Sequence, residues 1–241
     1  MIAPEGEFPE VGVDYAYMGP ERSQVTILVC RCKRTECLAA TQVPEKGVNA
    51  YSLAFFAGWL RGLGWKRLLL RSDNERALLA FLRAAAASLE GVEVIEQASP
   101  EGDHAANGLA DVGVREVKAQ TRVLKSHLEE RLKRQLDWSE PLATWLVRHS
   151  ANCLSRYRVQ TDGKTPHQWR TGKRWRRQAV EFGEKAAFLP VAARREGRVA
   201  GDAERMMDGI FVGHHERTGA SLFLSERGLL RGTRVQRKTA D

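Results

Sequence analysis

Long apolar runs are missing from this 241-residue sequence. No stretch approaches the ~18 apolar residues that a membrane span needs, and Gly58 and Arg83 interrupt the nearest candidates. The opening "MIAPEGEFPE" holds prolines and glutamates where a secretory leader would have an apolar segment. A long amphipathic helix with an aromatic face, which would suit a membrane surface, is also lacking. No membrane partner is therefore expected. Cysteine is scarce: four residues, no CxxC pair, and no two histidines at ligand spacing, a poor set for zinc. Cys30, Cys32, Cys37 and Cys153 are expected to serve as small buried hydrophobes in an intracellular protein. There are no internal repeats and no low-complexity segments.

Positive charge is what the chain has in excess. Lys and Arg total 38 against 30 Asp and Glu, a formal net charge of +8, with an isoelectric point near 9.6. A cationic surface of this strength implies a polyanionic partner, most often nucleic acid. The excess is local. Residues 156–178 carry eight basic residues and the single acid Asp162, so +7 of the +8 lies in this short stretch.

Periodicity gives the architecture. In "EVGVDYAYMG", Val11, Val13, Tyr15 and Tyr17 alternate with Gly12, Asp14, Ala16 and Met18, as in a strand. "SQVTILVCRC" is apolar on both faces, as a central strand would be, and "TECLAATQV" reads as a third strand. A buried helix closed by glycine ("GVNAYSLAFFAGWLRGLG"), a strand ending at Asp73, an alanine-rich helix and the strand "VEVIEQA" follow. Three meander strands and then strand–helix alternation predict a mixed, five-stranded α/β sheet flanked by helices. A long helix from Gly108 to about Arg134 is next, its buried stripe formed by Ala110, Val114, Val117, Thr121, Leu124 and Leu128. A second helix follows the break at Pro141. Short apolar runs from Phe182 onward suit a small β-barrel or sheet.

Three acids stand out by position. Asp14 sits mid-strand, where an unpaired charge is costly unless it binds something. Asp73 ends a buried strand, and ligands of α/β sheets gather beyond such ends. Asp111 lies one turn into a helix, with Asn107 as its expected N-cap. Taken singly, each has a plainer explanation: an edge-strand surface acid, a cap for the next helix, a first-turn acid favoured by the helix dipole. Converging, they would repel one another unless a hard divalent cation such as Mg²⁺ or Mn²⁺ joined them.

The wording around these acids resembles a known family. "VDYAYMGP", "LLLRSDNE" and "ANGLAD" are similar to the three acidic motifs of the retroviral-type integrase core, specifically those of copia-type LTR retrotransposon integrases. There the motifs read Asp after a strand, Ser-Asp-Asn-Gly, and Asn-Gly-x-Ala-Glu. Downstream, "DGKTPHQWRTGKRW", "VEFGEKAAFLP" and "MDGIFVGHHERTGASLFL" resemble the family's Gly-Lys-Thr-Pro, Phe-Gly and Gly-Ile-Phe-Val-Gly segments in the same order. The resemblance spans nearly the whole chain. It implies a ribonuclease-H-like core over residues 1–155, a basic linker over 156–181 and a small β-rich domain over 182–241. Asp14, Asp73 and Asp111 fall on the catalytic, metal-holding positions, and two Mg²⁺ (or Mn²⁺) ions are implied as cofactors. Processing of element DNA ends and strand transfer into host DNA is the implied reaction, in the nucleus and by a homo-oligomer. Three departures are visible: Asp111 stands where the family has Glu, Glu75 replaces the glycine after Ser-Asp-Asn, and no His precedes His104, so the upstream His/Cys zinc domain is not in this sequence. Starting directly before the catalytic region, the sequence reads as a truncated product.

Asp111 also begins a charge pattern. At 100° per residue, Asp111, Arg115, Lys118, Arg122 and Lys125 lie within about 40° of one line, whereas Glu116 is roughly 140° away. An acid followed only by bases suits metal first and DNA phosphates beyond, against the plainer reading of a solvated face with i,i+4 pairs. Asn74 is placed to position a phosphate or simply to start a helix. Lys173, Arg174, Arg176 and Arg177, interleaved with Trp169 and Trp175, suit sequence-independent DNA contacts; a flexible cationic linker or localisation patch is the competing reading. Two rival functions share these features: a decayed or domesticated remnant that only binds nucleic acid, and a ribonuclease-H-like nuclease without transfer activity.

Overall fold

A computed structural model describes residues 8–98, 108–177, 179–191, 206–216 and 218–238. The first strand, β1 (Glu10–Met18), pairs antiparallel with β2 (Val25–Cys32), which pairs antiparallel with β3 (Leu38–Val43). The third strand is shorter than "TECLAATQV" predicts. Glu36 adopts a positive φ of 58°, and the Cys32 N–H to Cys37 carbonyl bond of 3.0 Å closes a tight turn there. Helix α1 (Ala50–Leu63) begins at Asn49, whose side chain accepts the Ser52 N–H at 2.9 Å. It ends at Gly64 in the left-handed region, φ 75°, a conformation that a Cβ would oppose.

Strands β4 (Arg67–Ser72) and β5 (Glu93–Ala98) add parallel to β1, with helix α2 (Arg76–Ala87) between them. The sheet order is β3-β2-β1-β4-β5, the mixed five-stranded arrangement that the alternation predicts. Helices cover both faces. Val11, Val13, Tyr15, Leu28, Cys30, Cys32, Leu68 and Leu70 pack with Phe56 and Phe81 of α1 and α2. On the other face Ala16, Met18, Ile27 and Val29 meet α3 (Gly108–Leu132) and α4 (Pro141–Tyr157) through Val117, Leu128, Leu146 and Val147. Each fully buried Val, Leu, Ile or Phe among them contributes roughly 1.5–3 kcal/mol. The α3 stripe is narrower than predicted: Ala110, Val117, Thr121 and Leu128 are buried, Val114 and Leu124 only partly, and Gly113 joins them. The helix stops at Leu132 because Lys133 turns to φ 54°. The predicted N-cap Asn107 lies outside the described residues.

The basic stretch is not an open tether. It holds a short helix, α5 (Pro166–Thr171), started by Thr165, whose hydroxyl accepts the Gln168 N–H at 3.1 Å. Arg170 Nη1 donates to the Gly62 carbonyl at 2.7 Å, and Cys37 Sγ to the Pro166 carbonyl at 3.5 Å. Beyond it, β6 (Lys185–Pro190), β7 (Met207–His214), β8 (Ser221–Ser225) and β9 (Gly228–Arg237) close a barrel in that order. Phe188, Phe211 and Phe223 fill it. Val212 and Leu222, with Phe182 just before the barrel, share a hydrophobic core with α4, so barrel and sheet domain are packed together.

Candidate functional site

The β1–β4 pairing brings the first two acids to one end of the sheet. Gly12 pairs with Arg71 across the parallel ladder. Asp14 lies two residues further along β1 and Asp73 directly follows β4, so both acids stand at the same end of the sheet, near enough for the charge of Asp73 to act on Asp14. Asp73 lies just past the end of β4, where its Oδ1 accepts the Glu75 N–H at 3.1 Å. That bond is a local turn ahead of α2, whose N-cap residue is Glu75 without a side-chain cap bond, so Asp73 does not cap the helix, and the bond engages only one of its two carboxylate oxygens.

The third acid arrives through a glycine. A Cβ on Gly12 would stand 2.8 Å from the Ala110 nitrogen and 3.0 Å from Leu109 Cγ. The first turn of α3 therefore rests directly on β1, two residues upstream of Asp14, and Asp111 follows Ala110. The close approach is felt electrostatically. Burial is the main reason that the Asp14 carboxyl is pushed up to about 6, with the charge of Asp73 next; the Tyr15 N–H works against both, and Asp111 and Glu75 add smaller pushes. Asp73 and Asp111 thus both act on Asp14 at one end of the sheet.

They do not close into a finished ligand set. Among the described residues no three or more of His, Cys, Asp and Glu are grouped so as to hold a metal ion. Asp111 is exposed and ends one C–C bond, about 1.5 Å, short of where a glutamate would reach. The donors are nevertheless of the right kind for a hard divalent cation: carboxylate oxygens only, with uncompensated mutual repulsion. Glu116, the other acid near the start of α3, is turned away and bridges Arg158 at 2.5 Å.

Two further neighbours shape the charge here: Glu75, visible in the sequence only as a departure from the family's glycine, and Lys46, which carried no signal there. Glu75 adds a fourth negative charge near Asp14 and is bridged by Lys46 at 2.7 Å. Lys46 comes from the β3–α1 loop and lies 5.1 Å above the Tyr17 ring and 5.8 Å above that of Tyr15. Only the fold brings residue 46 to residue 75. Asn74 is exposed beside Asp73.

The predicted basic stripe divides. Arg115 and Arg122 are exposed and Lys118 is half-buried along α3. Lys125 differs from expectation: it is ion-paired with Glu129 one turn on and lies 5.5 Å over the Trp138 ring. At that position the i,i+4 reading is the one realised. Lys173, Arg174, Arg176 and Arg177 are exposed, whereas their aromatic neighbours are already engaged. Trp169 Nε1 donates to Asp162 at 2.9 Å. Trp175 Nε1 donates to the Tyr157 hydroxyl at 3.1 Å, with the rings of His167 and His214 edge-on to it. Replacing Lys173, Arg174, Arg176 and Arg177 together by Ala is expected to flatten the plot of log DNA affinity against log salt by about 0.9 for each phosphate that is no longer neutralised. An unchanged slope in a fluorescence-anisotropy titration would remove this segment from the interface.

No protein-family profile and no curated protein sequence matches the chain. Solved structures do. A chain of the simian T-cell lymphotropic virus intasome, determined in complex with PP2A regulatory subunit B56 gamma, aligns with a TM-score of 0.52 at 14% identity over 98% of this chain and 81% of its own. The catalytic core domain of HTLV-2 integrase in complex with magnesium (TM-score 0.49, 16% identity) and that of BIV integrase (0.47, 15%) align over 69% of this chain and 99% and 95% of theirs. At 14% identity the first likeness concerns the fold: the sheet, its helices and the barrel follow the architecture of a retroviral intasome chain over nearly their whole length.

Proposed function

We propose that the chain is a polynucleotidyl transferase, a DNA integrase of the copia retrotransposon type acting on element ends and nuclear target DNA as a homo-oligomer. One observation carries the reading: Asp73, which directly follows β4, and Asp111, on the helix turn packed against Gly12, both press their charge on the half-buried Asp14 at one end of the sheet. Ionised carboxylates this close repel one another unless one holds a proton or a cation joins them, and a hard divalent cation suits an all-oxygen donor set. Asp14, Asp73 and Asp111 would hold Mg²⁺ or Mn²⁺, which when bound would stabilise the attacking and leaving oxygens of a phosphoryl displacement.

The chain's own residues then have separate tasks. Burial of Asp14 supplies a site of low dielectric, where each charge interaction is stronger than in water. The Glu75–Lys46 bridge offsets the fourth acid, so that it adds less to the repulsion. Arg115, Lys118 and Arg122, on the line of Asp111, would lie along the backbone of the strand whose phosphate sits at the acids, and Asn74 would donate to an adjacent phosphate oxygen. Those contacts fix position without reading sequence.

A second reading, a remnant that binds nucleic acid without catalysis, is favoured by the open spacing of the acids and by aspartate at 111. Two measurements separate them. Calorimetric titration of Mg²⁺ into wild type and Asp73→Asn is expected to show heat that the variant lacks, and a strand-joining assay on short duplexes is expected to follow the same pattern. Absence of acid-dependent heat would leave the remnant; metal binding with cleavage but no joining would make the chain a nuclease. Asp111→Glu, which restores the missing reach, is expected to tighten Mg²⁺ binding about three- to tenfold.

A further inference from the structure

Where α4 ends and the basic segment folds back over it, a cavity of about 310 Å³ opens, lined by Arg156, Tyr157, Thr165, Gln168, Arg174 and Trp175 among others. Arg156 is its unusual member. The residue is only 6% exposed, and its guanidinium lies 4.2 Å over the Trp175 ring. Among the described residues no carboxylate stands within ion-pair distance of it. Glu216, the acid whose charge reaches it, is already bridged to Arg148 at 3.1 Å. Burying a cation without an anion is costly, and a ring face offsets only part of that cost. Burial, the main cause, lowers this guanidinium to about 10, so it stays charged at neutral pH.

The surroundings define what could balance it. His167 and His214, packed against Trp175, are held down to about 4 and about 3, chiefly by burial and in both cases also by positive neighbours. They are neutral in ordinary buffers and compete for no anion. The fixed charge of the cavity is Arg156 inside and Arg174 at the exposed rim, with no acid in its lining. The remaining wall is not suited to a bare ion. Tyr157 and Val159 are 45% and 65% exposed, and the volume falls at the lower end of small-molecule sites, about 300–1,000 Å³. A buried cation and a second on the exposed rim, with exposed apolar surface in the same lining, match a phosphate carrying an organic group.

We propose that this cavity is a subsite for one nucleotide unit, its phosphate on Arg156 and Arg174 and its sugar and base along Tyr157 and Val159. The subsite does not depend on the carboxylate cluster or on the reaction assigned to it. Free nucleotides and nucleic-acid strands offer the same chemistry, and the test distinguishes them.

Calorimetry on the full chain would compare dAMP, inorganic phosphate and a short single-stranded oligodeoxynucleotide. Binding of dAMP is expected to exceed that of phosphate by about tenfold, to weaken about threefold or more in Arg174→Ala, and to weaken about tenfold or more in Arg156→Met. Arg174 is a surface residue, so its variant tests the subsite even if Arg156→Met fails to fold. Displacement of the oligonucleotide by dAMP would identify a strand as the source; joint binding would identify a free nucleotide, and both support the subsite. Asp14→Asn is expected to bind dAMP as wild type does, whatever becomes of metal binding. No heat with dAMP, affinity unchanged in the Arg174 variant, or phosphate binding as tight as dAMP would overturn the assignment.

Discussion

Asp14→Asn is expected to abolish strand joining and, at neutral pH, to make the protein more stable. The opposed effects share one cause. The Asp14 carboxyl titrates at about 6 in the fold against a reference of 3.8, so between those values the folded state holds more protons than the unfolded chain. Stability from this group is fully present below about pH 4 and is lost as pH rises through 6. Above that the ionised side chain is a burden, which the uncharged amide removes. The full shift corresponds to about 3 kcal/mol; because the group is partly open to solvent, a gain of about 1–2 kcal/mol at pH 7.5 is the expected figure, vanishing near pH 4. Paired denaturant titrations at the two pH values would measure it. Activity should fall by about 10³-fold or more, the scale on which a group aimed at transition-state charge acts. Saturating Mg²⁺ should raise the wild-type midpoint and leave the variant unmoved, since a ligand stabilises only the form that binds it. A variant no more stable than wild type at pH 7.5 would mean that Asp14 carries no uncompensated charge.

Gly12→Val is expected to damage the protein from the opposite direction. The added Cβ would meet the Ala110 backbone nitrogen at 2.8 Å and the Ala110 Cα at 3.2 Å. Backbone cannot swing aside as a side-chain tip can, so the first turn of α3 must lift from β1 and carry Asp111 with it. Overpacking of this kind costs typically about 1–3 kcal/mol; Gly12→Ala should fall in that range and valine at or above its upper end. Metal-dependent joining should be lost even at temperatures where the variant remains folded. Gly113→Ala is the control. There the new Cβ meets only side-chain atoms of Leu38 and Arg31, at 3.2 and 3.3 Å, and alanine favours a helix interior by up to about 1 kcal/mol. Its stability should stay within about 1 kcal/mol of wild type. Equal losses at both positions would show that α3 does not rest on Gly12 in the way described.

These outcomes bear on how much the chain discloses before it folds. Alternation in "EVGVDYAYMG" reveals that Asp14 shares a face with Gly12, and the glycine-closed helix and apolar strand that follow are equally plain, because periods of 2 and 3.6 are local properties. The hairpin turn at Glu36 is not visible, since nothing in "KRTEC" announces a positive φ. Lys125 is similar: its helical phase places it with Arg115 and Lys118, yet Glu129 and Trp138 claim it. The charge of the basic stretch is plain in its residues and its conformation is not, because what orders it are partners more than a hundred residues away, Gly62 and Cys37.

By itself, then, the order of residues determined the alternation of strands and helices, the location of the charge and which three acids stand out by position. Those depend on neighbours within a few positions. Tertiary structure decided how close the acids come, which bases remain free, where Lys46 meets Glu75, and that Arg156 is buried beside a cavity without a carboxylate. Each of these is a contact between distant segments, and its energy depends on separation and burial, quantities that exist only once the chain has closed on itself.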